Sequence, residues 1–179
     1  MSSLSIIGLL MGSAFAFLGA MGLFKPLALF RVLDIFPRHR NAAIILTLVN
    51  VIWVTIIVHD VPFGRFEELK FMLYVLAPVN FFAVINYMEE LLAPRMLGGT
   101  LLLMAAPIFN LIRWHESDWR LVVTVTVYIL VVWGMLLMLS PYRFRHFTEW
   151  LSRSGAGRPF FSVLLVLGMT LIGLALVVY

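Results

Sequence analysis

Charged residues divide the chain into six long stretches that contain no Asp, Glu, Lys or Arg and consist mainly of apolar residues. A helix that crosses the hydrocarbon layer of a membrane needs about 20 such residues in a row (about 17–25). The pattern therefore predicts an all-α, polytopic transmembrane helix bundle of about six helices, arranged as three hairpins within one transmembrane domain of residues 1–179. The predicted spans are residues 4–24, 41–58, 71–88, 96–112, 121–139 and 159–179.

The third and fourth stretches are short and are interrupted by residues that weaken helices. Pro78 lies within the third stretch, and Gly98, Gly99 and Pro107 lie within the fourth. Proline and glycine are tolerated at membrane depth where neighbouring protein covers the backbone groups that they free. These two stretches are therefore predicted either to be kinked spans or to form a re-entrant pair.

Two of the segments between spans, residues 26–38 and 141–153, resemble each other. Both begin with proline, and both place apolar residues at helical spacing with charged residues between them. That pattern is typical of amphipathic helices that lie in the membrane surface. An ancient duplication of one hairpin would explain the resemblance, and so would the ordinary composition of loops between spans.

The overall composition agrees with a chain that is surrounded by lipid. The sequence is 63% hydrophobic and 12% charged, with a mean hydropathy of +1.03, whereas soluble domains average about 45–50% apolar and about 25% charged residues. The absence of cysteine excludes disulfides, thiol nucleophiles and Cys-ligated metals. The net charge of +4 occurs without a basic and aromatic patch, so we attribute it to loops at the membrane and do not expect nucleic acid as a partner.

The Lys and Arg residues are distributed unevenly among the loops. Loops 25–40, 88–95 and 140–158 contain four, one and four of them, whereas loops 59–70 and 113–120 contain two each. Because cytoplasmic loops carry the excess of Lys and Arg, the first three loops are predicted to be cytoplasmic and both termini to lie outside. We expect the membrane to be a bacterial inner membrane.

Small residues recur at every fourth position of the first span, at Gly8, Gly12, Ala16 and Ala20. On a helix, residues with this spacing form a ridge that another helix backbone can approach closely. The ridge is predicted to pack either against other helices of this chain or against a partner chain.

The predicted spans contain no ionisable side chain away from their edges, so a proton relay, ion pathway or voltage sensor is not expected. Asparagine is the most polar residue inside them, at Asn50, Asn80, Asn86 and Asn110. These side chains are expected to bridge helices by hydrogen bonds. Alternatively, Asn80 and Asn110 line a small polar cavity.

A group of metal-binding residue types falls in the two loops that are predicted to be outside. His59 and Asp60 end the second span, and His115, Glu116 and Asp118 lie in the loop after the fourth. His59, His115 and Glu116 are candidate metal ligands, although their spacing matches no known metal motif and solvated loop residues have the same composition. Bis-histidine ligation of haem is a further geometric possibility, but every histidine lies at or beyond the end of a span, and we expect no cofactor.

The sequence contains no nucleophile motif, phosphate-binding loop or dinucleotide-binding glycine pattern, and a catalytic role is therefore not favoured. The leading hypothesis is a non-catalytic subunit or assembly factor of a larger membrane complex, with the lipid bilayer and other membrane subunits as partners. The first alternative is a small carrier or channel for an uncharged or lipidic substrate. The second is a membrane enzyme or b-type haem protein that acts at the outer histidine and acidic face.

The predicted orientation can be measured with single cysteines, because the chain contains none of its own. Ser117→Cys lies in a loop predicted to be outside, and Ser152→Cys lies in one predicted to be cytoplasmic. In intact cells, a thiol reagent that does not cross membranes should modify the first variant and not the second. Labelling of Ser152→Cys alone would reverse the orientation.

Overall fold

A computed structural model of the protein describes residues 3–61, 70–87, 91–113, 117 and 119–177. Within these ranges the chain consists of helices joined by short turns. The helices are α1 (Ser3–Phe24), α2 (Pro26–Ile35), a 3₁₀ turn (Phe36–Arg38), α3 (Arg40–Asp60), α4 (Lys70–Tyr87), α5 (Leu92–Arg113), α6 (Arg120–Leu139), α7 (Tyr142–Arg153) and α8 (Gly157–Val177).

Six helices of the described part, α1, α3, α4, α5, α6 and α8, are long and apolar enough to cross a membrane. The predicted all-α polytopic bundle is confirmed, and the chain is a multi-pass integral membrane protein. The six helices coincide with the six stretches between charges because a charged side chain at the bilayer centre costs several kcal/mol, about 2.5–3.5 kcal/mol on insertion scales.

The two interrupted stretches form continuous helices. α4 has 18 residues and includes Pro78, and α5 has 22 residues and includes Pro107. Each proline lacks the N–H that would bond to the carbonyl four residues earlier, yet the helix continues on both sides of it. Each of the two helices is therefore long enough to cross the membrane by itself, and the choice between two spans and a re-entrant pair stays a prediction.

The two short amphipathic helices, α2 and α7, contact each other at one end of the bundle, which we call the α2/α7 end. Leu29 of α2, Leu151 of α7 and Phe161 of α8 form a buried cluster there. The rings of Phe36 and Phe144 lie 5.7 Å apart. These contacts fix the short helices to the spans, whereas their position in the membrane surface stays a prediction.

α1 and α8 run antiparallel and are the most closely packed pair of helices. A Cβ placed on Gly8 would lie 3.0 Å from the Cβ of Ala175, and one placed on Gly12 would lie 2.8 Å from the carbonyl oxygen of Gly168. Distances this short leave no room for a side chain at Gly12. Much of the small-residue ridge therefore faces α8 of the same chain.

The contact stripe of α1 departs from strict four-residue spacing. Ala16 still contacts α8, and the contacts continue at Gly19 and Gly22. An α-helix turns about 100° per residue, so each four-residue step overshoots a full turn by about 40°. The drift from Gly8 to Ala20 is about 120° by the same geometry, and Ala20 is half-buried in a hollow lined by neighbouring residues of α1.

α5 and α6 form a second antiparallel pair that is also built on glycine. A Cβ on Gly98 would lie 2.6 Å from the carbonyl oxygen of Gly134, and a Cβ on Gly134 would lie 2.9 Å from that of Gly98. A single core cluster joins the two pairs of helices. Its buried members are Leu4, Met11, Ala105, Ile108, Ile112, Val123, Val127 and Leu171.

The close packing of α8 on α1 can be tested with two glycines of the same helix. Gly168→Leu should destabilise the protein by roughly 1–3 kcal/mol, because overpacking forces the two backbones apart. Gly173→Leu should not, because a Cβ at Gly173 has no atom within 4 Å and meets only lipid. Unfolding of both variants in mixed micelles gives the comparison, and equal stability of the two would contradict the packing.

Candidate functional site

A polar side chain joins α3 to α5 in the middle of the bundle. Asn50 is 8% exposed, and its amide nitrogen donates to the carbonyl oxygen of Met96 at 2.8 Å. The Thr100 hydroxyl lies 2.8 Å from the Asn50 amide oxygen and 2.9 Å from the Met96 carbonyl. Gly99 makes this approach possible, because a Cβ there would lie 3.0 Å from the Asn50 amide nitrogen. Both ends of the Asn50 amide are therefore bonded to α5.

Next to this bridge, α3, α4 and α5 border an open cavity of about 410 Å³ that we call the crevice. Its walls are mainly aliphatic, with one residue contributed by α6. The lining residues are Thr47, Asn50, Val51, Val54, Thr55, Leu73, Leu76, Ala77, Asn80, Val84, Met96, Gly99, Leu102, Leu103 and Met138.

Most polar groups that line the crevice are bonded within the protein. The Thr47 hydroxyl donates to the carbonyl of Ala43 at 2.7 Å, and the Thr55 hydroxyl donates to that of Val51 at 2.7 Å. Asn80 differs, because its amide makes no hydrogen bond to any described residue; Asn80 lines the crevice and is exposed. The crevice thus holds one polar side chain whose donors and acceptor remain available to an occupant.

The chemistry of the lining limits what the crevice can do. None of the lining residues is ionisable, so they offer no acid or base for catalysis and no charge that would hold an ion. Aliphatic walls with a few placed polar groups are the usual composition of a site that binds an apolar molecule and orients it by hydrogen bonds.

α4 forms one wall of the crevice and is the most weakly packed of the spanning helices. It contains no buried residue. Its main contacts are with α3, and they include a hydrogen bond of 3.1 Å between the Tyr74 hydroxyl and Nδ1 of His59. The centroids of the Tyr74 and His59 rings lie 6.1 Å apart. Val84 packs against a small cluster of Ala43 and Leu92 at the other end.

The candidate metal ligands are only partly described by the structure. His59 is exposed and bonded to Tyr74, whereas His115 and Glu116 lie outside the described residues. Among the residues that are described, no three His, Cys, Asp or Glu side chains form a group that could hold a metal ion. The proposed metal site at His59, His115 and Glu116 therefore stays a prediction.

The four asparagines occupy different environments. Asn50 bridges two helices, and Asn80 lines the crevice, whereas Asn86 and Asn110 are exposed near helix ends and line no part of it. The predicted pairing of Asn80 with Asn110 in one cavity is thus replaced by Asn80 with Asn50. Met96, Gly99 and Thr100 were not predicted as site residues, although their spacing on one face of α5 was the available signal. No protein-family model matches the chain, and no curated protein or solved structure shows significant similarity to it.

The contribution of the α3–α5 bridge can be measured by replacing Asn50. Asn50→Leu removes both hydrogen bonds to α5 while keeping the branched shape, and should lower stability by about 1 kcal/mol, which lies within the range of roughly 0.6–2 kcal/mol for such bonds in membranes. Thr55→Val is the control, because its hydroxyl bonds only within α3. Equal unfolding free energies for the two variants would show that the bridge contributes nothing.

Proposed function

We infer that the protein binds a lipidic molecule in the crevice between α3, α4 and α5 and acts as a small membrane carrier for that molecule. The observation that carries this proposal is Asn80. Asn80 is near the middle of a spanning helix and lines the crevice. Its amide has no hydrogen-bond partner among the described residues. An occupant with a hydroxyl, ester or carbonyl group would supply one.

The free energy cost of an unbonded Asn80 amide is large enough to select an occupant. Leaving an amide without a hydrogen-bond partner in an apolar medium costs roughly 2–7 kcal/mol, depending on the reference state. Water is scarce at that depth of a bilayer, so the group must be satisfied by protein or by a ligand. A bound molecule that donates to Asn80 or accepts from it recovers part of that cost.

The same reasoning indicates where the specificity of the crevice would come from. Lipid tails are as apolar as leucine side chains, so an apolar molecule gains little by moving from the bilayer into aliphatic walls. A volume of about 410 Å³ lies within the range of known ligand sites, about 300–1,000 Å³. Discrimination between lipids must then come from the polar group that meets Asn80.

The hypothesis of a subunit in a larger complex loses its one positive observation. It rested mainly on the absence of catalytic motifs and of ionisable residues inside the spans, and the ridge of small residues added modest support as a possible surface for a partner chain. Gly8, Gly12 and Ala16 of that ridge contact α8 of the same chain, and they do not offer a surface to a second protein. The carrier hypothesis is therefore preferred to the subunit hypothesis.

The role of Asn80 can be tested with a photoactivatable long-chain fatty alcohol as the probe. In the wild-type protein, crosslinks that unlabelled alcohol competes away should map to residues lining the crevice. Asn80→Leu should weaken this saturable labelling by about tenfold, which corresponds to about 1.4 kcal/mol of binding free energy.

Asn86→Leu is the matched control for this experiment. It removes an exposed asparagine from the same helix at a position that does not line the crevice, and saturable labelling should be unchanged. Labelling that is spread evenly over lipid-facing residues, or that Asn80→Leu leaves intact, would contradict the proposed function.

A further inference from the structure

A second cavity, of about 280 Å³, opens at the α2/α7 end of the same three helices, and we call it the basic cavity. Its mouth is formed by the consecutive residues Arg38, His39 and Arg40, and its wall by apolar residues that include Ala43 and Leu92. Charged groups at a membrane edge are thus combined with an apolar wall that leads toward the interior.

The basic cavity adjoins the crevice. Ala43 and Leu92 line the basic cavity, Val84 and Met96 line the crevice, and these four residues pack in one cluster. The two cavities are therefore neighbours along the same three helices. A molecule with a polar head and an apolar chain would meet the basic cavity at one end and the crevice at the other.

The positive charge at the mouth is not neutralised within the described residues. Arg38 and Arg40 are exposed and form no ion pair there. Asp34 lines a neighbouring hollow together with Arg38, His39 and Arg40, so the described lining of that hollow carries two arginines and one carboxylate and is net positive. Of the other acidic residues near this end, Glu149 forms an ion pair with Arg145 at 3.9 Å. The two at positions 89–90 lie outside the described residues.

His39 adds a donor to the two guanidinium groups. Its Nδ1 accepts a hydrogen bond from the backbone N–H of Ala42 at 3.1 Å and thereby caps α3. In the neutral ring the proton then resides on Nε2, which can donate. Guanidinium groups bind phosphate oxygens with paired hydrogen bonds, and an imidazole N–H can complete the set.

We propose that the basic cavity binds the phosphate of an anionic phospholipid whose apolar part enters the crevice. The proposal rests on the proposed function and names the class of molecule that the crevice takes. A phosphate is the common chemistry, and the lipid is preferred to free phosphate as its source because the apolar crevice adjoins the charged mouth. Basic pockets between membrane helices bind anionic headgroups in this manner.

The test compares three molecules on the purified protein in neutral detergent. They are pyrene-labelled phosphatidylglycerol, pyrene-labelled diacylglycerol with the same chains, and glycerol 3-phosphate as a soluble competitor. Energy transfer from tryptophan to pyrene measures binding of the two lipids. We expect the wild-type protein to bind phosphatidylglycerol at least tenfold more tightly than diacylglycerol, and glycerol 3-phosphate not to displace it at similar concentrations.

Two double variants separate the basic cavity from the general charge of this end. Arg38→Gln/Arg40→Gln should reduce the preference for phosphatidylglycerol to within twofold and leave binding of diacylglycerol unchanged. Arg31→Gln/Arg143→Gln removes the same charge from exposed positions of α2 and α7 that do not line the basic cavity, and it should keep the tenfold preference.

The possible failures are distinguishable. Equal binding of the two lipids by the wild-type protein would overturn the headgroup site and leave the proposed function standing, whereas binding of neither would overturn both. Loss of the preference in the control variant would assign it to surface charge in general. Displacement of phosphatidylglycerol by equimolar glycerol 3-phosphate would identify a site for free phosphate instead of lipid.

Discussion

The fold depends on the close approach of helix backbones at glycine. Inside a bilayer, apolar side chains gain little by leaving lipid, and helices are held together by packing and by hydrogen bonds. The α1–α8 and α5–α6 pairs meet this requirement with glycines that face the partner backbone, as Gly12 faces Gly168 and Gly98 faces Gly134. The core cluster between the pairs then joins four of the six spanning helices into one frame.

The crevice exists because α3 and α4 do not share this packing. α3 is attached to the frame through the Asn50 bridge to Met96 and Thr100, and α4 contacts α3 without burying any residue of its own. Two helices held in this way leave space between themselves and α5. Mainly aliphatic residues line the space, and the Asn80 amide has no hydrogen-bond partner there among the described residues.

The number and approximate limits of the spanning helices could be predicted from sequence because charges are excluded from the bilayer interior. The choice of neighbours could not, since every span is apolar and the charge pattern carries no information about which faces meet. The ridge at Gly8, Gly12 and Ala16 gave the correct face of α1, but the helical drift moved the contact to Gly19 and Gly22.

The candidate site was predictable only in part, for a related physical reason. Asn50 and Asn80 were both recognised as polar residues inside spans, yet an asparagine that bridges helices and one that lines a cavity are identical in sequence. Their roles differ because Met96 and Thr100 stand opposite Asn50, whereas the crevice stands opposite Asn80. The basic cavity likewise arises only when the turn before α3 meets the beginning of α5.

The central claim is that the crevice and the basic cavity bind a lipid. Native mass spectrometry of the intact protein after mild solubilisation tests it most directly, because it gives the mass of the chain together with any molecule that stays bound. If the crevice and the basic cavity together hold a lipid, the spectrum should show the chain with one anionic phospholipid bound, and Arg38→Gln/Arg40→Gln should reduce that species. A chain that carries no lipid and is instead recovered with a stoichiometric second protein would contradict it and return the subunit hypothesis to first place.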